Sequence, residues 1–332
     1  DDVQPPWSDV TYLRLYEHPR FNYIAYNTIR MYDYSLAQPA NRIKALWETI
    51  SDVIPFYIKQ YDIDGIMLDM GHALPLPLRR EIVKKAKKVK KNFIFWEENF
   101  SLSEHSAEEG YSAVVGYLPF DLHVWWKVRH IIDMLSREGS PIAFFGTGEN
   151  HNTPRTSSRP GGVAFARFAF VISALLPSLP FIHSGAEIFE PRPINTGLGF
   201  TNEEIEKWPS ETLPLFSAGS MNWDASATMV ETIVKTLAVR RRNFVIEENF
   251  QPETIVPLET ENEFVIAFIR RFSNGKKVLF AASMAEHDAQ ANIHLNLDTA
   301  KISDSLTGKE FVILNSVLAH KFCSWEFIVA EI

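Results

Sequence analysis

The stretch Ile63-Asp64-Gly65-Ile66-Met67-Leu68-Asp69-Met70-Gly71-His72-Ala73-Leu74-Pro75 sets a short apolar run, a carboxylate at its end and a glycine-containing turn in direct succession. An apolar run of this length bounded by turn residues reads as a buried strand. The segment beyond the turn reads as a helix, because over residues 79–91 Ile82, Val83, Ala86 and Val89 recur at helical spacing with lysines between them. The same unit returns along the chain. Candidate strands fall at 65–69, 92–97, 113–118, 141–146 and 180–183, and the intervals hold amphipathic or apolar helices such as 41–60 and 163–176. Short strands alternating with helices build a parallel sheet, so the fold class is α/β.

Composition bounds the rest. The chain has 332 residues, 46% of them hydrophobic and 22% charged, with a formal net charge of −8. Those values exclude a disordered tail, a collagenous repeat and a coiled coil. The length suits one (β/α)8 TIM-barrel type domain of about 250 residues plus a small appendage. An acidic balance argues against a nucleic-acid partner, since phosphate binding needs clustered positive charge. The dense basic run at 84–91 lies between the apolar positions of one helix and is a solvated face. No stretch reaches the ~18 uncharged apolar residues of a membrane span. The longest candidate, 163–179, carries Arg167 and a proline and reads as a buried helix. The first nine residues have neither a basic region nor an apolar core, so no signal peptide is expected there. The single cysteine, Cys323, favours a reducing, cytoplasmic compartment.

From about residue 243 the pattern changes. The segments 264–272, 276–284, 291–297 and 322–332 read as strands, with Ser273-Asn274-Gly275 as a hairpin turn. The expected organisation is a lead-in at 1–40, a barrel domain at 41–243 and an all-β sandwich at 244–332. A doubly wound sheet is the competing architecture, but Gly71-His72-Ala73 does not fit a phosphate-binding glycine fingerprint.

Barrels deliver reactive groups from the C-terminal ends of their strands. Asp69 ends the first run, Glu97 and Glu98 end the second, and Glu149-Asn150-His151-Asn152 follows the fourth. Carboxyl groups on adjacent strands suit glycoside cleavage, one attacking the anomeric carbon and the other protonating the leaving oxygen. Acidic residues at strand ends are also ordinary helix caps.

Residues 63–75 resemble the nucleophile region of the alpha-amylase family of glycoside hydrolases, and Asp69-Met70-Gly71-His72-Ala73-Leu74-Pro75 is similar to its maltosyltransferase branch. The likeness continues through 93–100, Asn150-His151-Asn152-Thr153-Pro154-Arg155, Phe181-Ile182-His183-Ser184-Gly185-Ala186-Glu187-Ile188, Asn222-Trp223-Asp224, 237–243 and 304–309. The resemblance implies Asp69 as nucleophile and Glu97 as acid/base, with Glu98 the alternative acid, and places Asn152 in the catalytic set. It puts His72, His151 and Arg155 beside the sugar. Trp96 and Phe100 are candidates to stack on sugar faces, while Phe145 is core. The implied activity is a retaining glycoside hydrolase or glucan transferase on α-1,4-glucans such as maltooligosaccharides, starch or glycogen. Neither a cofactor nor a metal is needed for this chemistry. The alternatives are a homologue that binds α-glucans without turnover and an unrelated barrel protein.

Two positions depart from the family pattern. Met67 stands where the family has an arginine that orients the nucleophile, and Asn152 stands where it has an aspartate. Losing one preorganised group of this kind costs on the order of 10²- to 10³-fold. The resemblance also implies that the first three barrel strands are absent from this chain, where 10–16 and 23–31 are the strand-like runs before Asp64; either an N-terminal part or a second chain supplies the missing strands, or the early segments close the sheet. If the retaining assignment holds, Asp69 and Glu97 stand ~5 to 5.5 Å apart. In a chain with a completed barrel, Met67→Arg together with Asn152→Asp raises the turnover of maltooligosaccharides, followed by product chromatography; unchanged turnover clears both positions of any part in slow catalysis.

Overall fold

The computed structural model describes residues 14–18, 23–24, 30–31, 35, 37–69, 71–194, 200–213, 220–296 and 299–332. It divides into two compact units, Asp1–Val115 and Gly116–Ile332.

In the first unit, strands β1 (Tyr23–Ile24) and β2 (Arg30–Met31) pair antiparallel, so the strand-like run at 23–31 is two strands rather than one. Of the other early run, 10–16, only residues 14–16 lie among those described; Tyr16 bridges to Arg42 and meets Trp47 edge-on at 5.6 Å. Helix α1 (Lys44–Tyr61) stops at Asp62, which takes a left-handed conformation (φ 49°). Strand β3 (Gly65–Leu68) comes next. Helix α2 (Leu76–Val89) buries Leu78, Ile82, Val83 and Ala86, and its lysines face water as the spacing implies. Val89 differs from expectation: the last residue of the helix, it is exposed. Lys90 then bridges Asp62 at 2.9 Å and Asp64 at 2.7 Å, tying the end of α2 to the entry of β3. Strand β4 (Ile94–Glu98), helix α3 (Glu104–Glu108) and strand β5 (Ala113–Val115) complete the unit, and β3, β4 and β5 pair parallel in that order. Gly65 is required where β3 enters the pair, because a Cβ there would lie 2.8 Å from the carbonyl oxygen of Ile94.

The second unit opens with helix α4 (Trp125–Glu138), strand β6 (Ala143–Gly146), helix α5 (Gly162–Leu175) and strand β7 (Leu179–Pro180), with β6 and β7 parallel. Helix α5 is apolar almost all round and nearly every residue after its first turn is buried, as expected of 163–176. Helices α6 (Asn202–Lys207) and α7 (Val230–Asn243) lead into the β region. There β8 (Ile255–Pro257), β9 (Val265–Arg271) and β10 (Lys277–Ser283) join the last strand in a four-stranded sheet. The remaining strands are β11 (Ala289–His294), β12 (Lys301–Ser303), β13 (Glu310–Val312), β14 (Val317–Phe322) and β15 (Phe327–Glu331). The β11–β14 and β12–β13 ribbons cover one face of the sheet. The segment 322–332 is therefore not one strand. The chain turns at Trp325 (φ 57°), where Glu326 accepts a hydrogen bond from the Cys323 amide, and β15 joins a different sheet from β14. The expected turn at Ser273-Asn274-Gly275 is present, with Gly275 at φ +78°.

Strands β9 and β10 are buried on both faces. Val265, Ala267, Ile269, Leu279 and Ala281 enter the core shared with the ribbons. The alternate residues face the helices, where Phe280 packs 5.1 Å from Phe268 and 6.4 Å from Phe168 of α5. Between these layers lies Arg270, fully buried and held by protein acceptors alone: Leu175 O at 2.7 Å, Thr254 O at 2.9 Å and Asn249 O at 3.0 Å. Replacing it with an apolar side chain strands those buried carbonyls. Arg270→Leu lowers the unfolding free energy by roughly 3 kcal/mol, read from urea denaturation, whereas exposed Arg271→Leu changes it little.

Candidate active site

The first unit presents its carboxylates on a two-strand frame. The parallel register sets Met67 beside Trp96 and Leu68 beside Glu97. Successive side chains of a strand point to opposite faces. Ile94 and Trp96 therefore share a face with Met67, and their exposures of 42, 38 and 37% mark it as open. Phe95 and Glu97 point the other way and are buried, at 0 and 5% exposure. One step further, alternation puts Glu98 of β4 on the side of Trp96, while Asp69 lies past the end of β3. Asp69 is exposed in the turn after β3, while Glu98, still paired within the sheet to Val115, is largely buried.

The surroundings of Glu97 agree with this alternation. Asn99 Nδ2 donates to its Oε2 at 3.2 Å and also reaches Ser106 on α3. The phenol of Tyr111, itself buried, has its pKa pushed up to about 12, first by burial and then by the negative charge of Glu97. Near it Arg79 of α2 pairs with Glu109 at 2.5 Å. Tyr111 also presses on Gly71, where a Cβ would lie 3.1 Å from its hydroxyl. Glu97 thus belongs to a polar layer on the Leu68 side of the sheet. His72 is exposed in the short turn Gly71–Ala73, and Phe100 is exposed just past β4.

The second unit carries the other sequence candidates in the loop after β6. His151 is exposed and Asn152 buried, and the Asn152 amide donates to Asn150 Oδ1 at 2.8 Å. Arg155, expected beside the sugar, is 1% exposed, and its guanidinium donates to Glu149 Oε1 at 2.6 Å, Ser184 O at 2.9 Å and Arg192 O at 3.1 Å. Glu149 also accepts from the Thr156 amide at 2.7 Å and hydroxyl at 2.8 Å. Burial pushes the Glu149 carboxyl up, but hydrogen bonding from His183 and the Arg155 charge and hydrogen bond outweigh it and hold the group below the usual carboxylate range. Sequence reasoning misses this cluster. The flanking of 150–154 by Glu149 and Arg155 is its one visible sign, and His183 comes from the loop after β7, beyond the reach of spacing. Phe145 is core, packed edge-on against Phe181 at 5.2 Å.

Among the described residues no group of three or more His, Cys, Asp or Glu side chains could hold a metal ion, and no helix is long and apolar enough to cross a membrane.

No protein-family model matches the chain, and no curated protein matches it by sequence. Solved structures do. An alpha-amylase from Lactobacillus plantarum superposes with a TM-score of 0.66 at 14% identity, over 96% of this chain and 72% of that one. An Anoxybacillus alpha-amylase gives 0.60 at 16% identity, over 87 and 63%. The Geobacillus thermoleovorans alpha-amylase, solved in complex with acarbose, gives 0.62 at 15% identity, over 87 and 64%. The chain thus spans less than two thirds of the length of the last two. At such identities the likeness establishes the fold, and the fold of this chain is that of the alpha-amylases: an incomplete (β/α) barrel followed by an all-β region.

Proposed function

We propose that this chain carries the retaining machinery of an amylase-type glycosidase or maltosyltransferase acting on α-1,4-glucans, with Asp69 as nucleophile and Glu98, in place of Glu97, as acid/base. The observation that carries this reading is the β3–β4 register in an alpha-amylase fold: Met67 lies beside Trp96, alternation puts Glu98 on the side of Trp96 and Glu97 on the other, and Asp69 follows directly after β3. Two carboxyl groups acting on one sugar must reach it from the same side of the sheet. In the first step Glu98 gives its proton to the glycosidic oxygen while Asp69 attacks the anomeric carbon and forms a glycosyl ester. In the second, Glu98 takes a proton from water or from an acceptor sugar hydroxyl, which displaces Asp69. Trp96 and Phe100, aromatic and exposed on β4 and just past it, offer stacking surfaces, and His72 offers hydrogen bonds to sugar hydroxyls. That the Geobacillus enzyme binds acarbose supports a saccharide ligand here as well.

A second reading, an α-glucan binder without turnover, rests on Met67 and Asn152. Among the described residues the Asp69 side chain makes no hydrogen bond or ion pair, and the Met67 thioether two residues before it carries no charge to orient it.

Incubation with maltooligosaccharides and chromatography of the products separates the two readings. Under the first, Asp69→Asn and Glu98→Gln each lower turnover at least 10³-fold while maltotriose binding persists, and Glu97→Gln stays within about tenfold of the parent. A Glu97→Gln variant as inactive as Asp69→Asn returns the acid role to Glu97.

The placement of Glu97 has its own test. Ultraviolet titration should show Tyr111 ionising near pH 12, and Glu97→Gln should bring that midpoint down. Because the folded-state value is raised, the stabilisation linked to the neutral phenol is complete below about pH 10 and is lost as pH rises through about 12.

A further inference from the structure

Arg155, Arg159 and Arg270 are buried side chains of the second unit, and they differ in what meets their donors. Arg155 and Arg270 spend theirs on carboxylate and carbonyl oxygens of the protein. Arg159 does not. It follows the short turn Thr156–Ser158 and its side chain is 9% exposed, yet among the described residues its guanidinium makes one hydrogen bond, from Nη1 to His123 Nδ1 at 2.9 Å. A carboxylate oxygen, Glu204 Oε1 of α6, lies 3.9 Å from Nε, beyond hydrogen-bond reach. His123 is a neutral partner, since burial and then the Arg159 charge push its pKa down to about 4. Glu204 is short of a donor in the same place. Its Oε2 accepts from the Thr201 amide at 2.9 Å, while its Oε1 accepts no hydrogen bond from the described residues.

These groups line a pocket of about 540 Å³ whose described lining residues all belong to the second unit. Trp325, between β14 and β15, forms part of its wall and is held edge-on by Phe165 at 4.8 Å and tilted on Phe168 at 5.2 Å. Gly161 lets the Arg159 loop close on that wall: its φ is +86°, and a Cβ there would collide with the Trp325 indole. An unmet donor and an unmet acceptor 3.9 Å apart are both satisfied by a group that accepts and donates at once. A hydroxyl does so. A carboxylate or phosphate ligand would meet Arg159 only by standing against Glu204, and against a rim where Glu203 and Glu286 outnumber Lys207. A cation would leave the Arg159 donors unmet. One bridging water takes up about 30 Å³, a small part of the pocket, so a sugar residue has room.

We propose that this pocket is a second saccharide site, in which a hydroxyl of a neutral glucan accepts from Arg159 and donates to Glu204. The identity of the sugar rests on the glucan reading above, but the site uses none of the residues given a role there. Its selectivity follows from the pairing of opposite charges on the floor, which cancel for a neutral ligand and compete with a charged one.

Proton–nitrogen NMR of the full chain titrated with maltotriose tests this, because Trp325 and His123 report on the pocket and Trp96 reports on β4. The expected result is a saturable shift of the Trp325 indole and His123 ring resonances. Arg159→Met keeps the length of the side chain and removes its donors, and should weaken that binding at least tenfold while the Trp96 shift persists. Glu204→Gln should weaken it about tenfold. Shifts that saturate as before in both variants overturn the proposal. Stability supplies a readout that a purely structural guanidinium would move: the urea midpoint of Arg159→Met should stay close to that of the parent, because few protein acceptors are stranded. A midpoint that falls as far as that of Arg270→Leu, or a variant that does not fold, makes Arg159 a structural residue and overturns the proposal. Sorbitol at the same concentration should leave both reporters still, and equal shifts with it overturn the saccharide assignment. Trp325 and His123 that stay still while Trp96 shifts with maltotriose overturn the pocket and spare the glucan reading. Maltotriose that moves none of the three overturns both.

Discussion

The period of two in a β-strand governs both ends of this chain. In β3 and β4 only one face is open, and the period sorts carboxylates that are neighbours in sequence to different sides: Glu98 to the side of Trp96, and Glu97 to that of Tyr111. In β9 and β10 both faces are covered, and the same period feeds alternate residues into two cores, one shared with the β ribbons and one with α5. A shift of one residue in either pairing would exchange the two sets. The polar layer around Glu97 and the closed packing around Phe268 and Phe280 both depend on register.

Charge inside the second unit obeys a second constraint. An ion removed from water is tolerable when its donors or acceptors are met by the protein. Glu149 has Arg155 and Thr156 around it, and Arg270 has a ring of carbonyls. The outcomes differ in kind. Glu149 joins two loops at the ends of parallel strands, whereas Arg270 joins a sheet to the C-terminus of a helix.

The βα alternation was legible because each run is short, apolar and closed by a turn, and residues 65–68 fall where 65–69 was expected. The hairpin at Ser273-Asn274-Gly275 was legible because glycine accepts a positive φ. Other features were hidden for physical reasons. Trp325 takes a left-handed conformation that its residue type does not announce, so 322–332 looks continuous when it is broken. The phase of alternation at Glu97-Glu98 comes from register with β3, which adjacent identical side chains cannot display. Arg155 lies in a polar stretch whose spacing gives no sign of burial, and its meeting with Glu149 and the loop after β7 accounts for that burial.

Arg270 bears on how such a chain can change over generations. Its guanidinium, supplied by a strand of the β region, takes the carbonyl of Leu175, the last residue of α5, and Phe280 beside it packs on Phe168 of the same helix. A β region that shares its interior with a helix in this way is not an interchangeable cassette. Recombination that replaced everything after α7 with a β domain of different lineage would leave a helix end without its cap and an aromatic surface without its cover. Inheritance in this part of the molecule is expected to run through joint drift of α5 and β9, not through exchange of modules.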